Sequence, residues 1–121
     1  MAADRFRVLP LFLPAVAATQ ALDWQPSVDV YRTRDGWLAK FDLAGVRPSD
    51  VEWSVANNAL TVRGMRRDCT LEEGCSHYRM EIAYSRFERC IEIPGDISSA
   101  RITTEFRDGM LIIRISWEHA S

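Results

Sequence analysis

Phe87-Glu88-Arg89-Cys90-Ile91-Glu92-Ile93-Pro94 alternates apolar and polar residues over one strand's length and stops at a proline. A second stretch, Ile102-Thr103-Thr104-Glu105-Phe106-Arg107-Asp108-Gly109-Met110-Leu111, alternates, turns at Asp-Gly and runs into a further alternating segment, Leu111 to Trp117. A period of two sends one face of each segment into a core. Asp-Gly supplies the positive φ that a tight hairpin needs. The last third of the chain is therefore expected to be strands, with a hairpin at Asp108-Gly109.

Working outward, the same pattern recurs upstream. Ser27 to Tyr31 is a first strand, and Trp37 to Leu43 puts Trp37, Ala39, Phe41 and Leu43 on one face before Gly45. Val51, Trp53 and Val55 alternate with Glu52 and Ser54. Asn57-Asn58 is a turn signal, and Leu60 and Val62 alternate toward Gly64. A polar stretch, Met65 to Ser76, separates these from Tyr78, Met80, Ile82 and Tyr84, which alternate again. Short strands at this spacing, without an amphipathic helix or an internal repeat, predict an all-β sandwich.

A chain of 121 residues is expected to form one domain with a real core. The net charge of −2 provides no bulk attraction to nucleic acid or an anionic membrane. Cys69, Cys75 and Cys90 are an odd set, which argues against a disulfide-built secreted fold and for reduced thiols in the cytoplasm. Residues 1–23 read as an apolar arm (Phe6, Val8, Leu9, Leu11, Phe12, Leu13), broken by Pro10 and Pro14. Arg5 and Arg7 before an apolar run, with Ala15-Val16-Ala17 behind it, also fit an export signal. The two prolines, Asp4 and the short core weigh against that reading, and the run is too short to span a bilayer.

The order of motifs resembles the α-crystallin domain of small heat shock proteins, in their bacterial and plant branch. The resemblance covers Trp24 to about Glu118, leaving residues 119–121 as a short end. Trp24-Gln25-Pro26-Ser27-Val28-Asp29-Val30-Tyr31 looks like the opening strand. Phe41-Asp42-Leu43-Ala44-Gly45-Val46 resembles the Leu-Pro-Gly-Val segment, with Ala44 in place of proline. Leu60-Thr61-Val62-Arg63-Gly64-Met65-Arg66 resembles Leu-x-Ile-x-Gly-Glu-Arg, with Met65 in place of glutamate. Phe87-x-Arg89-x-Ile91-x-Ile93-Pro94 and Asp108-Gly109-Met110-Leu111 match the family's most recognisable motifs, although Ser85 takes the place of the glycine often found just before the phenylalanine.

The resemblance implies an immunoglobulin-like sandwich whose long loop, about Arg66 to Ala83, carries a dimer-exchanged strand, His77 to Ala83. That strand would meet Ser27 to Tyr31 of a second copy, since an alternating segment held off its own sheet is a template for pairing. The implied homodimer residues are Val28, Val30, Tyr78, Met80, Ile82 and Arg89. The implied binding groove involves Trp53, Val55, Ile102 and Thr104. Relatives fill this groove with an Ile-x-Ile/Val tail. None follows Trp117 here, and Ile113-Arg114-Ile115 belongs to the last strand, so the groove is expected to be open and tail-linked assemblies absent.

Arg89 shares the parity of Phe87, Ile91 and Ile93. A charge on that face needs a partner or an interface, with a snorkelling side chain as the plainer account. We expect it near the dimer contact, paired with a carboxylate. Cys69, Cys75 and His77 fit no strong zinc spacing. Two loop thiols suit either inert cysteines or a redox pair. Cys90 is expected on the outer face or at an interface. Trp24, Trp37, Trp53 and Trp117 suit packing. Neither Gly-x-x-x-x-Gly-Lys-Ser/Thr nor Gly-x-Gly-x-x-Gly occurs, and His77 and His119 have no nucleophile elbow to serve.

The expected function is that of an ATP-independent holdase, not an enzyme, with no cofactor. Its expected partners are partly unfolded client proteins, its own copies and, indirectly, ATP-driven chaperones. The rival is an adaptor module of the CS-domain kind that docks on one folded partner. Such modules lack the Phe-x-Arg and Gly-x-Leu motifs and the long loop. An enzyme built on Cys75 and His77 comes third.

Overall fold

A computed structural model describes residues 24–117. The arm residues Phe6, Val8, Leu9, Leu11, Phe12 and Leu13, and the end at 119–121, lie outside the described residues. In chain order the strands are β1 (Val28–Arg32), β2 (Gly36–Asp42), β3 (Val51–Ala56), β4 (Ala59–Met65), β5 (Arg86–Glu92), β6 (Arg101–Arg107) and β7 (Met110–Ser116). One-turn 3-10 segments at Pro48–Asp50 and Ile97–Ser99 lead into β3 and toward β6. All the pairings are antiparallel: β1-β2-β7-β6 form one sheet and β3-β4-β5 the other.

The core follows from strand parity. Ala39 and Phe41 of β2 and Leu111, Ile113 and Ile115 of β7 face Leu60 and Val62 of β4 and Phe87 of β5. Leu43, Ile93 and Ile97 close the ends of this layer, and all these residues are buried. Turn chemistry sets the register. Asp108 and Gly109 both have positive φ, 54° and 78°, and join Arg107 to the paired Met110 in a two-residue hairpin. Gly64 serves close approach, because a Cβ there would lie 2.1 Å from the Asp50 carbonyl oxygen and 2.9 Å from Phe87 Cζ. That contact lets the turn before β3 lie flat on β4.

The segment His77–Ala83, expected to pair with a second copy, forms no strand within this chain, where the path from β4 to β5 has none. Alternation specifies which side chains share a face, but a strand also needs an edge to bond to, and within this chain 77–83 pairs with none of the free sheet edges. Within this chain the Arg89 guanidinium donates to the Pro26 carbonyl oxygen at 2.8 Å, a backbone partner just ahead of β1.

Candidate functional site

The pairing order leaves β1 and β6 as the edges of one sheet and β3 and β5 as the edges of the other. Long-range contacts decide which edges share a side. Arg89 on β5 reaches Pro26, just ahead of β1, and Trp24 meets Phe87 of β5 edge-on with ring centroids 5.2 Å apart. The β1 and β5 edges therefore lie together. On the opposite side, the Asn57 carbonyl after β3 accepts from the Ile97 and Ser98 amides, at 2.8 and 3.3 Å, in the turn that feeds β6. The β3 and β6 edges thus flank a second opening.

That second opening holds the four predicted groove residues. Trp53 and Val55 lie on the core-facing rows of β3, in register with Val62 and Leu60. Ile102 and Thr104 lie on the core-facing rows of β6, in register with Ile115 and Ile113. Val55 and Ile102 pack against the core. Trp53 is 38% exposed despite facing inward, because no further strand covers it, and Thr104 is exposed as well. The edges offer backbone donors and acceptors beside apolar side chains, which suits an extended apolar segment lying between the sheets.

The predicted dimer residues fall on the β1 edge, on β5 and on the long loop. Val28 is half-buried against the chain's own core, so it is only partly available. Val30 is 44% exposed on the free edge strand. Tyr31, which ends the stretch expected to meet the exchanged strand, is exposed next to it, with the Lys40 ammonium 4.9 Å above its ring. Tyr78 is 97% exposed, and Met80 and Ile82 are exposed with it. Three large apolar side chains at alternate positions thus stand in solvent in the single chain.

Arg66 was quoted only as a motif residue, and its role was missed. Its Nε donates to the Ala83 carbonyl at 2.8 Å and its Nη1 to the Ala44 carbonyl at 3.3 Å. Its guanidinium lies 3.7 Å over the Trp24 ring, and its backbone N–H donates to Ser85 O at 2.9 Å. One side chain thus brackets the entry to the domain, the turn after β2 and both limbs of the long loop. Burial lowers the Arg66 pKa from its ordinary value, with Tyr84 and Asp42 pulling the other way, and burial also raises that of Tyr84. The one available signal was the closing arginine of Leu-x-Val-x-Gly-x-Arg.

Cys69, Cys75 and Cys90 are all free thiols and exposed. Cys90 points outward from β5, in a row with Thr61 and Ser54. Among the described residues no group of three or more His, Cys, Asp or Glu side chains is placed to hold a metal ion. Among those residues, too, no helix is long and apolar enough to cross a membrane.

The two packed sheets with their paired open edges define an immunoglobulin-like sandwich of the α-crystallin type. The chain matches the Hsp20/alpha crystallin family over residues 29–121, and it belongs to that family. Small heat shock protein C2 of Rickettsia felis is 28% identical over 90 residues, 74% of this chain and 58% of that protein. The chain spans between a quarter and three-fifths of the length of the first relatives it matches by sequence, 25% to 58%. Among solved structures, hspA from Xanthomonas axonopodis is 32% identical with a TM-score of 0.64, covering 81% of this chain and 98% of that one. Heat shock protein 16.0 from Schizosaccharomyces pombe is 26% identical with a TM-score of 0.71, covering 81% and 91%.

Proposed function

We propose that this protein is an ATP-independent holdase, which captures partly unfolded proteins and keeps them from aggregating. The observation that carries the reading is the open β3–β6 side, where Trp53 stays exposed between two unpaired edges. An unfolding client presents extended apolar segments of the kind this opening fits. The arm, residues 1–23, adds Phe6, Val8, Leu9, Leu11, Phe12 and Leu13 as further apolar contacts. Burying each such side chain is worth ~1.5–3 kcal/mol, enough for useful affinity without sequence specificity. Binding the unfolded state holds it soluble and couples no chemical energy, so clients pass to ATP-driven chaperones for refolding.

The working unit in this proposal is a homodimer made by reciprocal exchange of 77–83 onto the partner's β1. Support comes from the free β1 edge and the exposed Tyr78, Met80 and Ile82. Exchange covers both apolar surfaces and removes two open edges at once. The odd set of three cysteines fits work in a reducing cytoplasm.

The test is light-scattering mass and suppression of heat aggregation for two unrelated proteins, on the full chain and on a version lacking residues 1–23. The full chain is expected to protect both substrates, and the shortened one to be a dimer that protects weakly. If neither protects and both are monomers, the holdase reading falls and a dedicated adaptor for one folded partner replaces it.

A further inference from the structure

Cys69 and Cys75 sit on the outgoing limb of the long loop, between the Arg66 bracket and the segment proposed to exchange. Every residue from Cys69 to Tyr78 is exposed, so no packing resists a change of path there. The loop's two ends are fixed to each other, since Arg66 N–H donates to Ser85 O and its side chain holds Ala83 O. In the exchanged form proposed above, the limb from Arg66 to His77 must therefore reach as far as a run from His77 to Ser85 drawn out as a strand.

Chain geometry makes this a length test. An extended run from His77 to Ser85 places His77 ~26 Å from the base of the loop. The limb from Arg66 to His77 can span ~36–40 Å with both thiols free, which leaves ample slack. A disulfide holds its two Cα atoms ~5.5 Å apart, and the same limb then spans at most ~22–24 Å. Even adding the ~5 Å between the paired backbones of Arg66 and Ser85, the closed limb reaches only when every residue is taut. The turn in which Asp68 Oδ1 accepts from the Thr70 amide at 3.3 Å already uses some of that length.

We propose that Cys69 and Cys75 are a dithiol redox site, and that their intrachain disulfide withdraws 77–83 from strand exchange. A small disulfide such as oxidised glutathione is the co-reactant. One cysteine thiolate attacks a glutathione sulfur and releases one glutathione thiol. The second cysteine then attacks the mixed disulfide, forming the Cys69–Cys75 bond and releasing the other thiol. Two cysteine thiols lose two electrons and two protons, and one glutathione disulfide becomes two thiols. The effect on assembly rests on the exchange reading above, but the disulfide itself does not.

The experiment treats the full chain with oxidised glutathione, then with dithiothreitol, and reads both light-scattering mass and tryptic peptide mass. Cleavage after Arg67 and Arg79 puts both cysteines on one peptide, 68–79. An intrachain bond lowers that peptide by two hydrogens, whereas an interchain bond joins two copies of it. The expected result is the lightened peptide together with a particle mass that falls by half or more and recovers on reduction. Cys69→Ser and Cys75→Ser should each abolish both changes, and Cys90→Ser neither. Joined peptides, a glutathione adduct that goes no further, or a lightened peptide with unchanged particle mass would each overturn the proposal. A reduced protein that is already monomeric overturns the exchange reading and the assembly effect together.

Discussion

At the scale of single residues, Gly64 and Arg66 do different work two positions apart. Gly64 has no room for a side chain, since a Cβ would collide with the Asp50 carbonyl and touch Phe87. Gly64→Ala is expected to cost ~1–3 kcal/mol through forced overpacking, seen as a lower urea midpoint with an unchanged slope. Arg66 joins by planar geometry as much as by charge, stacking on Trp24 while donating to two carbonyls. Lysine keeps the charge but loses the flat face and the Nε donor. Arg66→Lys should therefore lose ~1–2 kcal/mol of stability and speed hydrogen exchange in 66 and 83–86, while amides of β2 and β7 keep their protection. An equal loss of protection everywhere would show that Arg66 stabilises the whole domain, not the loop base.

Among the strands, β6 and β7 depend on a cross-strand ion pair as well as on their hairpin. The Arg114 guanidinium hydrogen-bonds the Glu105 carboxylate, and this holds the Glu105 pKa below its ordinary value. A lowered native pKa means the folded chain binds that proton less readily than the unfolded one. The stabilisation is therefore present above the ordinary glutamate pKa of about 4.3 and fades as pH falls through the lower native value. Wild type should melt above Glu105→Gln at neutral pH, with the gap closing on acidification. A gap that widens toward acid would contradict the assignment. The hairpin itself was legible in advance, because Asp108-Gly109 is local and its two positive φ angles depend on little beyond those two residues. The partner of Arg89 was not legible. Parity placed the guanidinium on the inner face, but only the packing of β5 beside the entry to β1 brought the Pro26 carbonyl to it.

At the scale of the whole molecule, two open sides serve two proposed purposes, with exchange at β1 and client capture between β3 and β6. The two can be separated. Ile82→Glu places a charge on the exposed exchange face without touching the core, and is expected to halve the light-scattering mass while leaving the far-UV spectrum and thermal midpoint of the monomer intact. Trp53→Ala should instead leave the mass unchanged and reduce protection of heated clients. If Ile82→Glu leaves the mass unchanged, the dimer is built elsewhere. By itself the sequence determined the strands of the two sheets, the face each side chain takes and the Asp-Gly hairpin, because period-two patterning and turn chemistry are properties of neighbours along the chain, and its ordered motifs carried the resemblance to the α-crystallin domain. Only the tertiary structure decided which sheet edges lie together, that Arg66 closes the loop, and that 77–83 stays unpaired in a single copy. Those outcomes depend on where distant backbone groups meet, and a local pattern carries no record of that.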